Sequence, residues 1–180
     1  MRFYLDYPSA ARYHEIMNPN LDPEKLRAAM RAWSAGVTVV TAVHEGRQSG
    51  ATVNSFTSIS LEPPLLTVTL QKTSKTHDFV SKSRAFGLTM LSTDQTHLAD
   101  LFAGKTPAAD RFDGLQMETL VTGSPLIVGG LAWLDCRVVE TYDAVGSTLF
   151  IAEALAAQTM NGREPLIYHN REYWNLTRVS

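Results

Sequence analysis

The sequence predicts a mainly β fold, a small closed or partly closed barrel with a few peripheral helices. Three observations predict it. Six or seven apolar, β-branched segments are separated by Gly, Pro or polar turns, only two helical patterns are convincing, and no alternation of strand with helix would build a doubly wound parallel sheet. A chain of 180 residues, 44% hydrophobic and 19% charged, suits one domain with a sizeable core.

Taken in order, the first element is a helix over about 23–34: Asp22 can cap, Pro23 fits the first turn, and Leu26, Ala29, Met30 and Trp33 recur at helical spacing before Gly36. The period then changes. Val37 to Val43 reads as a strand, followed by a turn at Glu45 to Arg47, a strand or curved strand from Ala51 to Ser60, a break at Pro63-Pro64 and an apolar strand from Leu65 to Leu70. Thr76 to Lys82 reads as a short helix with Phe79 and Val80 inward, and Ala85 to Leu91 as a strand. Ser92 and Gln95 have capping-box spacing ahead of a helix bearing Leu98, Leu101 and Phe102 that ends near Gly104. Residues 104–125 are rich in turn formers and predict an irregular excursion beside a site. From Gly130 the segments LAWLDCRVVETYDA, STLFIAEALAAQTM, EPLIYHN and EYWNL read as strands. Within the second of these, Ile151 to Ala157 has helical propensity, but its β-branched and aromatic neighbours favour strand.

Composition excludes several functions. Sixteen Lys plus Arg against eighteen Asp plus Glu leave a net charge of -2, so no broad positive field draws the chain to nucleic acid or anionic lipid. The single cysteine, Cys136, cannot form an intrachain disulfide, and five scattered histidines give no metal motif. No P-loop, GxGxxG or GxSxG motif occurs. The opening MRFYLDYPSAARYHE lacks the apolar core of a signal peptide or a membrane span, so a cytoplasmic protein without membrane contact is expected. Residues 1–22 are expected to form an amino-terminal extension, either lying across the body or a partner subunit on its tyrosines and Phe3, or remaining polar and mobile.

Two polar clusters stand out. In GATVNSFTSIS, Thr52, Asn54, Ser55, Thr57, Ser58 and Ser60 interrupt Val53, Phe56 and Ile59, as in an ordinary half-buried strand or in a wall that hydrogen-bonds a flat heteroaromatic ligand. In QKTSKT, residues 71–76, hydroxyls, first-turn amides and lysines precede a helix, as in a soluble capped turn or a phosphate site. Lys105 and Arg111 either add charge to the same pocket or pair with Asp110 and Asp113.

The runs GVTVVT at 36–41, GATVNSFTSISLEPPLLTVTL at 50–70, LADLFAG at 98–104, DRF at 110–112, GSPLIVGGLAWLDCRVVE at 123–140 and EPLIYHNREYWNL at 164–176 resemble the flavin reductase family, in the same order. Its styrene and aromatic-hydroxylase reductase members are the nearest in look. The resemblance covers about residues 23–176 and implies an FMN-binding split β-barrel over residues 23–180, usually a homodimer. It also implies transfer of hydride from NADH or NADPH to FMN or FAD, with reduced flavin supplied to a separate flavin-dependent monooxygenase. Since the nicotinamide reacts directly with the flavin, no titrating catalytic residue and no metal are expected.

By the same resemblance, Thr52, Val53, Asn54 and Ser55 border the isoalloxazine and ribityl chain. Ser58 and Ser60 approach the ribityl or phosphate end, and Ser74, Lys75 and Thr76 hold phosphate. Phe102 and Lys105 close part of the pocket, and Tyr173 borders the nicotinamide side. One departure stands out: many relatives carry a Gly-Asp-His-like triplet where this chain has Val145-Gly146-Ser147, so Ser147 occupies the histidine position on the nicotinamide side. The alternative is therefore a flavin-binding carrier or interaction protein with weak or lost reductase activity.

Overall fold

The computed structural model describes residues 21–107 and 110–179. Helix α1 spans Pro23–Arg31, capped by the Asp22 carboxylate, which accepts from the Glu24 N–H at 2.9 Å. Strands β1 (Ala35–Gly36), β2 (Thr38–His44), β3 (Arg47–Val53), β4 (Thr57–Leu61) and β5 (Pro64–Gln71) follow. Helix α2 spans Lys75–Ser83 and leads into β6 (Ala85–Met90); a 3-10 turn at Thr93–Gln95 runs into α3 (Thr96–Phe102). The excursion contributes only the two-residue strands β7 (Met117–Glu118) and β8 (Leu126–Ile127), before β9 (Ala132–Ala144), β10 (Ser147–Thr159), β11 (Ile167–His169) and β12 (Glu172–Trp174). The protein is mainly β with a few helices. Of the amino-terminal extension expected over residues 1–22, residues 1–20 lie outside the described residues.

Seven strands form one antiparallel sheet in the order β3-β2-β6-β9-β10-β5-β4. Its two end strands, β3 and β4, are consecutive in the chain and separated only by residues 54–56. The four Cα-to-Cα steps from Val53 to Thr57 span at most about 14 Å, so the sheet must coil until its ends come close. No pairing between β3 and β4 closes the ring. The expected single strand from Ala51 to Ser60 is thus corrected to two, interrupted at Asn54, Ser55 and Phe56, because the chain crosses there from one end of the sheet to the other.

The inner face of the coiled sheet is dry. Val40 and Ala42 of β2, Leu66, Val68 and Leu70 of β5, Phe86 and Leu88 of β6, Cys136 and Val138 of β9 and Phe150 and Ala152 of β10 share one core with Phe79 and Val80 of α2. Pairing with β9 on one side and β5 on the other holds Ile151 to Ala157 extended despite its alanines. A second core lies on the outer face, where Val37, Val39 and Leu91 meet Leu98, Ala99 and Phe102 of the α3 segment.

Leu26 and Met30 on α1, and Trp33 just beyond it, stay largely exposed among the described residues, at 51%, 55% and 66%. The helix's carboxyl end is tied to the β11–β12 turn, through the Asn170 N–H donating to the Arg31 carbonyl at 3.0 Å and the neighbouring Ser34–His169 hydrogen bond at 2.9 Å.

Candidate functional site

A groove of about 1130 Å³ runs along β3 from its first residues to the 54–56 crossing. Because β3 ends the sheet, alternate backbone N–H and C=O groups along it point away from the ladder and are open to a ligand. One end of the groove is built by the β2–β3 hairpin and the start of α2, and the other by α3 and residues 110–112.

At the first end Ser74 caps α2, its Oγ accepting from the His77 N–H at 3.1 Å. The buried Thr76 hydroxyl meets that of Ser49 at 3.0 Å, locking the helix start onto β3. Lys75 and Arg47 both reach over the Phe79 ring, at 5.3 and 5.7 Å from its centroid. His77 points away from the groove: its Nε2 lies 2.8 Å from Thr148 Oγ1 and its ring packs on Phe150. Burial, with the Lys72 ammonium nearby, keeps this imidazole below the usual histidine range.

At the other end Phe102 and Phe112 meet edge to face at 5.2 Å. Gly50 makes that possible, since a Cβ there would stand 2.7 Å from Phe102 Cε1. The Thr52 hydroxyl donates to the Ala99 carbonyl at 2.7 Å, fixing α3 against β3. Arg111, in the first half of the excursion, reaches the Phe102 carbonyl at 3.5 Å.

Of the residues expected at a site, Thr52, Val53, Asn54, Ser55, Ser74, Lys75, Thr76, Phe102 and Ser147 line this groove together. Their side chains differ in what they are free to do. The Ser55 hydroxyl is spent on β5, donating to the Thr69 carbonyl at 2.9 Å and accepting from its N–H at 3.2 Å. The Asn54 amide makes no hydrogen bond within the described residues. Ser58 and Ser60 sit on the edge strand β4, outside the groove lining. Lys105 and Tyr173 also lie outside it, gathered on Asp100: the Lys105 ammonium and the Tyr173 hydroxyl each donate to Asp100 Oδ1 at 2.8 Å. The Lys105 bond, then that of Tyr173, holds the Asp100 carboxyl below the usual range. Burial, then this carboxylate, raises the Tyr173 phenol. Arg47, Gly50 and Phe112 also line the groove; the sequence marks Gly50 and Phe112 only as members of the runs at 50–70 and 110–112, and Arg47 only by the hairpin turn at 45–47.

The flavin reductase like domain family matches residues 30–177 of the chain. The chain belongs to this family. An FMN reductase (NADH), SmoA, of Agrobacterium fabrum is 37% identical over 165 residues, 92% of each chain. The reductase component of a 4-nitrophenol 4-monooxygenase/4-nitrocatechol 2-monooxygenase from Rhodococcus opacus is 36% identical over 88% of this chain and 83% of its own. Among solved structures, the NADH:FAD oxidoreductase of Streptomyces globisporus in complex with NAD and FAD fragments superposes with a TM-score of 0.80 at 30% identity, covering 87% of this chain and 93% of that one. The groove of this flavin reductase family member joins polar donors at one end to an aromatic pair at the other. That combination suits a flat ring carrying a phosphate tail.

Proposed function

We propose that the protein is a cytoplasmic NAD(P)H-dependent flavin reductase that supplies reduced FMN or FAD to a separate flavin-dependent monooxygenase. The observation that carries this reading is the groove itself, with an open edge strand between the Ser74–Thr76 helix start and the Phe102–Phe112 pair. A bound flavin would supply the redox chemistry, as the acceptor of hydride from the reduced nicotinamide. The protein's own share is position. Lys75 and the first-turn amides of α2 hold the phosphate. The Asn54 amide and the outward backbone groups of β3 hydrogen-bond the ring edge, where they also stabilise charge gained on reduction. Phe102 and Phe112 form an apolar wall that keeps water out.

Several further features belong to the proposal. The coiled sheet with its unpaired β3–β4 edge is read as a split β-barrel, one domain from residue 23 onward with an extension before it. The functional unit is read as a homodimer, which supplies an occupant for the exposed stripe of α1 and for edge strand β4, where Leu61 is 85% exposed. Ser147, read as matching the position where many relatives carry a histidine, pairs with Gln71 across the β5–β10 ladder, and both line the groove.

Anaerobic stopped-flow mixing of the protein and flavin with NADH or NADPH tests the reading. Rapid loss of oxidised-flavin absorbance is expected. Unchanged absorbance despite tight flavin binding would make the protein a flavin carrier, the reading that Ser147 favours.

The side chains at the crossing predict a divergence between neighbours. Asn54→Leu removes an amide with no protein partner and is expected to weaken flavin binding about tenfold while the melting temperature stays put. Ser55→Leu breaks both bonds to Thr69 and is expected to lower the melting temperature as well. Titration by flavin fluorescence, alongside thermal melts, checks both; equal behaviour of the two variants would contradict the assignment.

A further inference from the structure

A second cavity, of about 270 Å³, opens between α2 and the β9–β10 hairpin and shares no lining residue with the groove. One wall is α2 and its end, with His77, Ser81 and Arg84; the other is the hairpin, with Thr141, Asp143 and Thr148. Its floor is the Phe150 ring, buried in the inner core and packed against the His77 ring at 5.4 Å. The flavin reading uses none of these residues.

The charges in this lining do not cancel. Asp143 is already met, its Oδ1 accepting from the Lys72 ammonium at 2.7 Å and from the Val145 N–H at 2.8 Å. Burial, with the Lys72 ammonium nearby, keeps His77 in its neutral form at pH 7. Arg84 has no carboxylate partner within the described residues; its guanidinium has only the Val138 carbonyl, at 3.3 Å. The Ser81 and Thr141 hydroxyls have no hydrogen-bond partner there either. A cation and two hydroxyls above a buried ring offer donors to a carboxylate and a seat to its carbon body.

The backbone points the same way. Arg84 ends α2 with φ +57°, a left-handed conformation in which a Cβ is strained and glycine is the usual residue. Glycine would end the helix as well. What arginine adds is its side chain, and that side chain lines the cavity.

We propose that this cavity binds a small carboxylic acid with a ring or a short apolar body, Arg84 taking the carboxylate through its planar fork and Phe150 with His77 taking the body. Ser81 and Thr141 donate to the remaining carboxylate lone pairs. The volume lies just under the roughly 300 Å³ at which small-molecule sites begin, which limits the body to about one ring.

The test takes benzoate as the probe, benzamide as its uncharged counterpart and inorganic phosphate as a charge without a body. Each is titrated into the full chain by calorimetry, with and without FMN. Benzoate is expected to bind, and benzamide and phosphate to bind at least about tenfold more weakly. Arg84→Gly is expected to weaken benzoate by about tenfold or more while melting within about 2 °C of wild type or above it, since glycine relieves the left-handed strain. Arg84→Lys, which keeps the charge but not the fork, is expected to fall between the two. No benzoate binding by wild type would overturn the proposal, as would equal binding of benzamide or of phosphate. Benzoate binding that survives Arg84→Gly, or that FMN displaces, would seat the probe elsewhere and overturn it too. FMN affinity is expected to stay within about twofold in Arg84→Gly, so the failure of this site leaves the flavin reading standing.

Discussion

Gly50→Ala is expected to cost the protein its flavin site at a modest cost in stability. A methyl at this position would stand 2.7 Å from Phe102 Cε1, 2.8 Å from Cδ1 and 3.3 Å from Phe112 Cζ. Neither side can yield easily. Gly50 pairs with Thr41 in the β2–β3 ladder, so its backbone is held, and Phe102 is 2% exposed within the outer core. The ring must rotate off Phe112 or move into the groove, and either shift removes the wall that the ligand would meet. Overpacking of this kind costs roughly 1–3 kcal/mol, which for a chain of this size lowers the melting temperature by about 3–10 °C. Flavin affinity is expected to fall by more than about tenfold, since a wall displaced by an ångström spoils shape and hydrogen bonding together. Titration and calorimetry of Gly50→Ala and of Gly50→Ala/Phe102→Leu check this, the smaller side chain restoring stability if the ring contact is the cause. An unchanged flavin affinity in Gly50→Ala would mean that Phe102 does not bound the ligand.

The contrast between Gly50 and its neighbours marks how far the sequence can be read. Thr52 to Ser55 and Ser74 to Thr76 are contiguous runs with a local signature, hydroxyls among apolar residues and a helix cap, and they do line one groove. The Ser92–Gln95 spacing likewise yields a local structure, the Gln95 Oε1 accepting from the Ser92 N–H at 3.3 Å. No local pattern marks Arg47, Gly50 and Phe112 as site residues, because their role arises only when the sheet coils and α3 packs on β3. Lys105 and Tyr173 show the reverse. Their chemistry suits a pocket, yet Asp100, five residues before one and distant in sequence from the other, collects both. The stripe on α1 is legible as a helix face, but what covers it is a property of neighbours that no local pattern specifies. The break at Asn54 to Phe56 is only partly legible: Asn54 and Ser55 are turn formers, but that the chain crosses the sheet there is imposed by sheet order.

Asp135 is the strongest case of a residue whose role only packing reveals, and its removal is expected to have the largest effect on stability. An aspartate on an alternating strand would ordinarily face water, but Asp135 is fully buried between β6 and β10. Its Oδ2 accepts from the Val121 N–H at 2.6 Å and the Thr122 N–H at 2.8 Å, and its Oδ1 from the Thr122 hydroxyl at 2.5 Å. These bonds bring the end of the excursion down onto the sheet. Pro125 follows at once, its carbonyl accepting from the Thr41 hydroxyl and standing where a Cβ on Gly87 would meet it at 2.8 Å. Burial, then the Asp135 charge, raises the neighbouring Cys136 thiol to about 12, which keeps it inert. Asp135→Ala leaves three donors without their acceptor, two of them backbone N–H groups that the fold holds in place. Hydrogen bonds to a charged group contribute roughly 1.5–3 kcal/mol each, and breaking such a buried set costs about 3–5 kcal/mol. The melting temperature is expected to fall by about 10 °C or more. Asp135→Asn keeps the shape and one acceptor oxygen but turns an NH₂ toward a donor, so it is expected to fall between the two. The same excursion carries Arg111 and Phe112 into the groove, so flavin affinity should drop along with stability even well below the melting temperature. A melt of Asp135→Ala within about 2 °C of wild type would show that the excursion is held by its apolar contacts alone, through Leu126 and Ile127, and that the buried carboxylate is dispensable.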